Sequence, residues 1–243
     1  MILFEDSNRI ARNKPAWIVV HEWNNHRNDL SMNDYLDKYM KFINWSDTKN
    51  LKPNNETFIP SFWFRLDKDT SWVLISAKNY EALQYINQII RDRKISKKYL
   101  TIVVWNFPKN LKINKPLEKV FNEKFNKNHV VISKNWQEAK TECRCEKTFS
   151  HPILWQISLV RVQIHTWRMH QIRVHLADAW FPVLWDITYW NPVINRKLYK
   201  NLKINRQLLH CREYGFDDIN WEKFQKFVAP IPEDFTKIVR TTD

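Results

Sequence analysis

The chain has 243 residues, 39 lysines and arginines against 26 acids, a net charge of +13 and an isoelectric point near 9.6. That length suits one large domain or two small ones with a sizeable core, and a hydrophobic fraction of 44% excludes a disordered chain. The charge points to a polyanionic partner, because each neutralised phosphate releases a counterion; it does not separate RNA from DNA, and solubility or a lysine-rich coding bias would also produce it.

No run of eighteen apolar residues predicts a membrane helix. The first residues lack a basic region followed by a long apolar stretch, so no secretory signal is expected. Three sparse cysteines, Cys143, Cys145 and Cys211, suit a reducing cytoplasm better than a disulfide framework.

In chain order, short strands are predicted at Ile2-Leu3-Phe4, Arg9-Ile10-Ala11-Arg12 and Ile18-Val19-Val20. A helix begins at Ser31, with Tyr35, Leu36, Tyr39, Met40 and Ile43 on one face. Residues 46–57 read as a polar loop, and Trp72 to Ser76 as a buried strand. Asn79 is placed to cap a helix to about Arg93, with Leu83, Ile86, Ile89 and Ile90 inward. Tyr99 to Val104 is a strand. Residues 106–128 are basic and irregular and are expected to form an insertion or RNA-facing loop. Strands follow at Val130 to Ile132, Thr141 to Phe149 and Leu154 to Ile164. Arg168 to Ala179 is a helix, Leu208 to Phe216 a strand, and Glu233 to Val239 a terminal helix. Strands outnumber helices and lack regular crossover helices, which predicts an α+β fold with a mixed, largely antiparallel sheet.

One glycine and thirteen tryptophans are anomalous; average usage would give roughly 17 glycines in a chain of this length. The tryptophans stand where turns favour glycine, which reaches positive φ or lets backbones approach. Trp72 follows Thr70-Ser71, Trp167 precedes Arg168, Trp185 precedes Asp186, and Trp190 follows Tyr189. Glycine is therefore expected in the native protein at Trp17, Trp23, Trp63, Trp72, Trp105, Trp136, Trp167, Trp180, Trp185 and Trp190. Trp45, Trp155 and Trp221 have weaker motif context. Some bacteria read UGA as glycine, and translation of UGA as tryptophan would produce this exchange. A tryptophan-rich surface that stacks on bases is the competing explanation, but it leaves the missing glycines unexplained.

Two stretches carry the chemistry. Phe64-Arg65-Leu66-Asp67-Lys68-Asp69-Thr70-Ser71 sets two carboxylates on an extended segment. Thr166-Trp167-Arg168-Met169-His170-Gln171-Ile172-Arg173-Val174-His175 sets two arginines on a short helix. The combination suggests a buried, charge-neutralised catalytic carboxylate. His165, His170 and His175 are spaced by five, whereas a zinc-binding helix uses i, i+4, so no metal site is expected.

Together these stretches resemble the RluA family of RNA pseudouridine synthases, whose patterns run HRLDxxTSG and TGRTHQIRVHLA. The opening from Asn13 to His21 is similar to that family's NKPAGLVVH. The resemblance implies one pseudouridine synthase catalytic domain over residues 1–243, built around a central catalytic cleft and without an S4 domain. It implies that Asp67 acts at the ribose, as a nucleophile at C1′ or a base at C2′. Asp69 is the rival acid. Arg173 takes the place of the arginine that pairs with the catalytic aspartate, and Tyr99 that of the tyrosine that stacks on the uracil. Arg65 and Arg168 are the expected RNA contacts, Arg65 where the extruded base had stacked. Phe64 departs from the family's histidine. The implied enzyme is a monomeric, cytoplasmic isomerase that needs no cofactor and no membrane. Its implied substrate is large-subunit rRNA, with tRNA second. The competing possibility is a non-catalytic RNA-binding or ribosome-assembly protein on the same fold.

Overall fold

Short apolar runs give strands, and the two capped amphipathic segments give helices. In this computed structural model, residues 1–21, 30–43, 58–62, 67–123, 127–134, 136–152, 154–217 and 224–240 are described. The chain divides into one unit of Met1–Ile95 with Glu213–Ala229 and a second of Ser96–Arg212 with Pro230–Asp243.

In the first unit, β1 (Ile2–Glu5), β2 (Arg9–Lys14) and β3 (Ser71–Ala77) form an antiparallel meander, with Ala11 opposite Ile75 at its centre. All seven residues of β3 are buried, which fits a continuous apolar run better than alternation. Helix α1 (Met32–Phe42) starts at a capping box in which Ser31 accepts from the Asp34 amide and Asp34 from the Ser31 amide. Leu36 and Met40 of its expected face are buried, while Tyr35 and Ile43 are exposed. Helix α2 (Tyr80–Arg91) is capped by Asn79, whose Oδ1 accepts from the Ala82 amide at 2.8 Å. Ala82, Ile86 and Ile89 face inward. Ile18-Val19-Val20 is irregular rather than a strand. The carbonyls of Val19 and Val20 accept the Met32 and Asn33 amides at 2.9 and 3.2 Å, and so serve the helix start.

The end of β10 (Leu209–Asp217) pairs with β11 (Phe224–Val228), a strand not legible in the sequence. Gly215 sits opposite Lys226 there, and a Cβ at that position would collide with the Phe224 ring.

The second unit is built on the antiparallel order β4 (Ser96–Val104), β9 (Trp155–Ile164), β8 (Lys140–His151) and β5 (Asn110–Asn114). Residues 106–128, expected to be irregular, instead supply β5, β6 (Leu117–Asn122) and the start of β7 (Lys127–Ile132), the last two forming a separate hairpin. Exposed lysines had hidden the alternation that buries Ile113 and Leu117. Helix α3 (Gln171–Asp178) starts three residues later than expected. Helix α4 (Pro192–Leu202), which the sequence did not reveal, follows an Asn191 cap with proline at its first position.

One core of the second unit gathers Ile102, Val104, Ile157, Leu184, Leu208, Phe235 and Ile238. Phe235 and Ile238 come from α5 (Glu233–Arg240). That helix is tied down by Arg206, whose buried guanidinium meets both oxygens of Asp234. The fold is α+β, and the pairs β1–β2, β2–β3, β4–β9, β5–β8, β6–β7, β8–β9 and β10–β11 are all antiparallel.

Arg206→Met should therefore lower stability by about 2–3 kcal/mol, below the range for a fully buried pair, because Asp234 keeps a quarter of its side chain in water. Urea unfolding of the two proteins checks it.

Candidate active site

Asp67 lies in the first unit, at the head of a tight turn closed by the Thr70 amide on the Asp67 carbonyl at 3.1 Å. The turn is gripped from β2. Lys14 is fully buried, and its ammonium donates to the carbonyls of Pro15, Lys68 and Thr70 at 3.0, 3.0 and 2.8 Å. The Trp17 amide adds a bond to the Lys68 carbonyl at 2.9 Å. The Asn13-to-Trp17 segment thus fixes the backbone that carries Asp67, a role that sequence reasoning did not assign to Lys14. Asp67 and Asp69 are both half-buried. Arg65 lies outside the described residues.

Tyr99, Arg168 and Arg173 lie in the second unit. Tyr99 is buried on β4, opposite Val162. Two residues before it, Lys97 is buried with its Nζ 3.7 Å from the centre of the Trp167 ring. Burial pushes the Lys97 pKa down to about 7, against a smaller opposing electrostatic pull from Cys211. The Cys143 thiol is pushed up to about 12 by burial, so it is a poor nucleophile at neutral pH.

Gln171 organises the second motif. Its Oε1 accepts from the Thr166 hydroxyl at 2.9 Å and the Arg168 amide at 3.1 Å. Its Nε2 donates to the Lys140 carbonyl at 2.9 Å and the Thr141 hydroxyl at 3.0 Å. Arg168 donates from Nε to the Glu138 carbonyl at 3.2 Å, so it braces the loop. His170 enters α3 at φ 52 and bonds through Nδ1 to the Tyr189 hydroxyl at 2.8 Å. His175 is buried between the Thr141 hydroxyl at 2.8 Å and the Lys115 carbonyl at 2.9 Å, and burial lowers its pKa. His165 stands 3.7 Å from Glu142. The three evenly spaced histidines thus meet different partners. Among the described residues, no group of three or more His, Cys, Asp or Glu could hold a metal ion.

Arg173 is buried and forked onto Asp186, with Nε–Oδ2 at 2.6 Å and Nη2–Oδ1 at 2.9 Å. The second nitrogen also reaches the Thr188 hydroxyl at 3.1 Å, and the Tyr189 ring centre lies 5.2 Å from the guanidinium carbon. Asp186 in turn accepts the Thr188 and Tyr189 amides. Sequence reasoning missed Asp186. Its signal was the Trp185-Asp186-Ile187-Thr188-Tyr189-Trp190 stretch, where two tryptophans occupy glycine-like places.

The family model described as RNA pseudouridylate synthase matches residues 8–178, a span that takes in both motifs. The chain belongs to the RNA pseudouridylate synthase family. Within that family it is 32% identical over 235 residues to the ribosomal large subunit pseudouridine synthase D of Borreliella burgdorferi, covering 96% of this chain and 66% of that one. It is 32% identical over 244 residues to the ribosomal large subunit pseudouridine synthase C of Buchnera aphidicola, covering 99% of this chain and 70% of that one. The fold matches the solved human RNA pseudouridylate synthase domain containing 4 with a TM-score of 0.73 at 23% identity, over 99% of this chain and 92% of that chain.

Two outcomes follow from these buried cations. Lys14→Met should cost about 2–4 kcal/mol by removing three charge-assisted bonds, seen as a lower urea midpoint. For Lys97, the unfolded chain holds a proton between pH 7 and 10.5 that the folded chain has shed, so this group makes stability rise with pH across that window. Lys97→Met should accordingly be more stable than the parent at pH 6, by roughly 2–4 kcal/mol. That gap should close towards pH 10, as read from urea midpoints across the range.

Proposed function

We propose that this chain isomerises specific uridines to pseudouridine in structured RNA, with large-subunit rRNA as the substrate. The observation that supports this reading is the family match across residues 8–178, together with relatives of 32% identity that are named as large-subunit enzymes. A monomer acting in the cytoplasm, without metal or cofactor, completes it, since the chemistry needs only a carboxylate at the ribose.

The proposed residue roles follow the motifs. Asp67 attacks C1′ or removes the C2′ proton as the N1–C1′ bond breaks. The uracil turns and C5 bonds to C1′ as the Asp67–C1′ ester bond breaks or, on the other route, the C2′ proton is returned; the C5 hydrogen then leaves as a proton while N1 gains one. Arg173 is the cation that keeps the Asp67 carboxylate ionised. Tyr99 stacks on the uracil, and Arg65 and Arg168 contact the RNA. Extrusion of the base is required because the glycosidic bond is inaccessible in a stacked helix. Lys14 holds the Asp67 turn through the carbonyls of Pro15, Lys68 and Thr70, which fixes the backbone that carries the carboxylate.

Mapping pseudouridine in RNA from cells with and without the gene tests the function; an unchanged map would refute it. In a tritium-release assay with C5-labelled uridine, Asp67→Asn should abolish turnover while RNA binding persists, because binding is mostly phosphate electrostatics. Asp69→Asn should be much milder. RNA affinity should also fall steeply between low and moderate salt, as expected for a chain of net charge +13.

A further inference from the structure

We propose that Asp186 is a positioning residue for the isomerisation: it orients Arg173 and balances its charge. This rests on the reading of Asp67 and Arg173 given above. The carboxylate is fully buried and meets the guanidinium along one edge through both oxygens. The Thr188 hydroxyl bonds the same edge, and the Tyr189 ring lies against the guanidinium. Tyr189 is itself held, accepting the Val130 amide at 3.0 Å and bonding His170. Apolar residues would fill this site at less cost than a buried ion pair. What the pair supplies is a guanidinium with one defined direction and a countercharge along that edge.

The test uses the purified chain, a uridine-containing RNA transcript and the tritium-release assay, with affinity measured separately by filter binding. Asp186→Asn keeps the shape and removes the charge. It should lower the rate at saturating RNA on the order of tenfold or more, as small misplacements at a reacting centre do, with RNA affinity changed less than about threefold on the same grounds. Thr188→Val, which leaves the ion pair in place, should slow the same step a few-fold with affinity unchanged. A folded Asp186→Asn variant with the parent rate, or a loss confined to affinity, overturns the proposal. If Asp186→Asn does not fold, a parent rate in Thr188→Val overturns it. An active Asp67→Asn variant would instead sink the underlying assignment. An inactive Asp67→Asn beside a fully active Asp186→Asn would sink this inference alone.

A second, independent observation concerns the backbone. Tryptophan supplies 13 of 243 residues, yet five of the eight non-glycine residues at positive φ among the described ones: Trp17, Trp105, Trp155, Trp180 and Trp185. Two of these are places that glycine most often fills. Trp180, at φ 67, follows the cap of α3; its amide bonds the Ala177 carbonyl and the Phe181 amide bonds the Leu176 carbonyl, at 3.1 and 2.8 Å. That is the Schellman closure, whose left-handed residue is most often glycine. Trp185, at φ 63, is the third residue of the turn closed by the Asp186 amide on the Val183 carbonyl at 3.1 Å, where a type II turn needs positive φ. Arg93 occupies the matching Schellman place after α2, so side chains are tolerated there; the excess of tryptophan is what needs a cause. We infer that the native protein carries glycine at these five positions.

Peptide mass spectrometry of the protein purified from its own organism decides the matter. The tryptic peptide Val174–Arg196 should be lighter than the written sequence by at least two indolylmethyl groups, with fragmentation placing glycine at positions 180 and 185. Tryptophan at either position overturns the inference.

Discussion

A helix buried along six consecutive residues, three of them polar, can exist only if each polar group finds its partner inside. Helix α3 is such a helix, from Gln171 to Leu176. Gln171 spends its amide on four bonds to the preceding loop and β8. Arg173 takes Asp186, and His175 is held neutral between a hydroxyl and a carbonyl, with burial lowering its pKa. Leaving any one unmatched would cost the desolvation of a buried polar or charged group. The loop before the helix, the turn after it and the β6–β7 hairpin that packs against Val174 are therefore specified by polar matching as much as by apolar packing.

The first unit meets a similar constraint differently. Lys14 is a buried lysine that donates to three backbone carbonyls. Carbonyls can satisfy the ammonium's three donors, so the turn that presents Asp67 is anchored to β2 at its base. Where α3 needs an anion at a chosen edge of a planar guanidinium, the Asp67 turn needs only a point charge at the centre of three dipoles. Arginine in the one place and lysine in the other follow from that difference.

Much of this was legible beforehand. The Asn79 cap, the helix it begins and the alternation along β9 follow from short-range rules. Asp67, Tyr99, Arg168 and Arg173 are proposed as site residues from the resemblance of their local strings to the family's motifs. The lysine-rich segment from Asn110 to Asn122 was misread, because strand pairing, not composition, makes two strands of it. Helix α4 and β11 were missed for the same reason: a helix with a small apolar stripe and an edge strand of alternating polarity take their identity from what they pack on.

The sequence by itself determined which residue types were available at the two motifs, the excess of positive charge and the presence of a single glycine, since these are properties of the string. Only the tertiary structure decided that Lys14 holds the Asp67 turn from 53 to 56 residues away, that Asp186 is a carboxylate forked onto Arg173, and that five tryptophans sit on left-handed backbone. The reason is physical. A charge's partner is chosen by where the chain returns in space, and a residue's φ by the turn it must close. Neither is encoded in the residue alone.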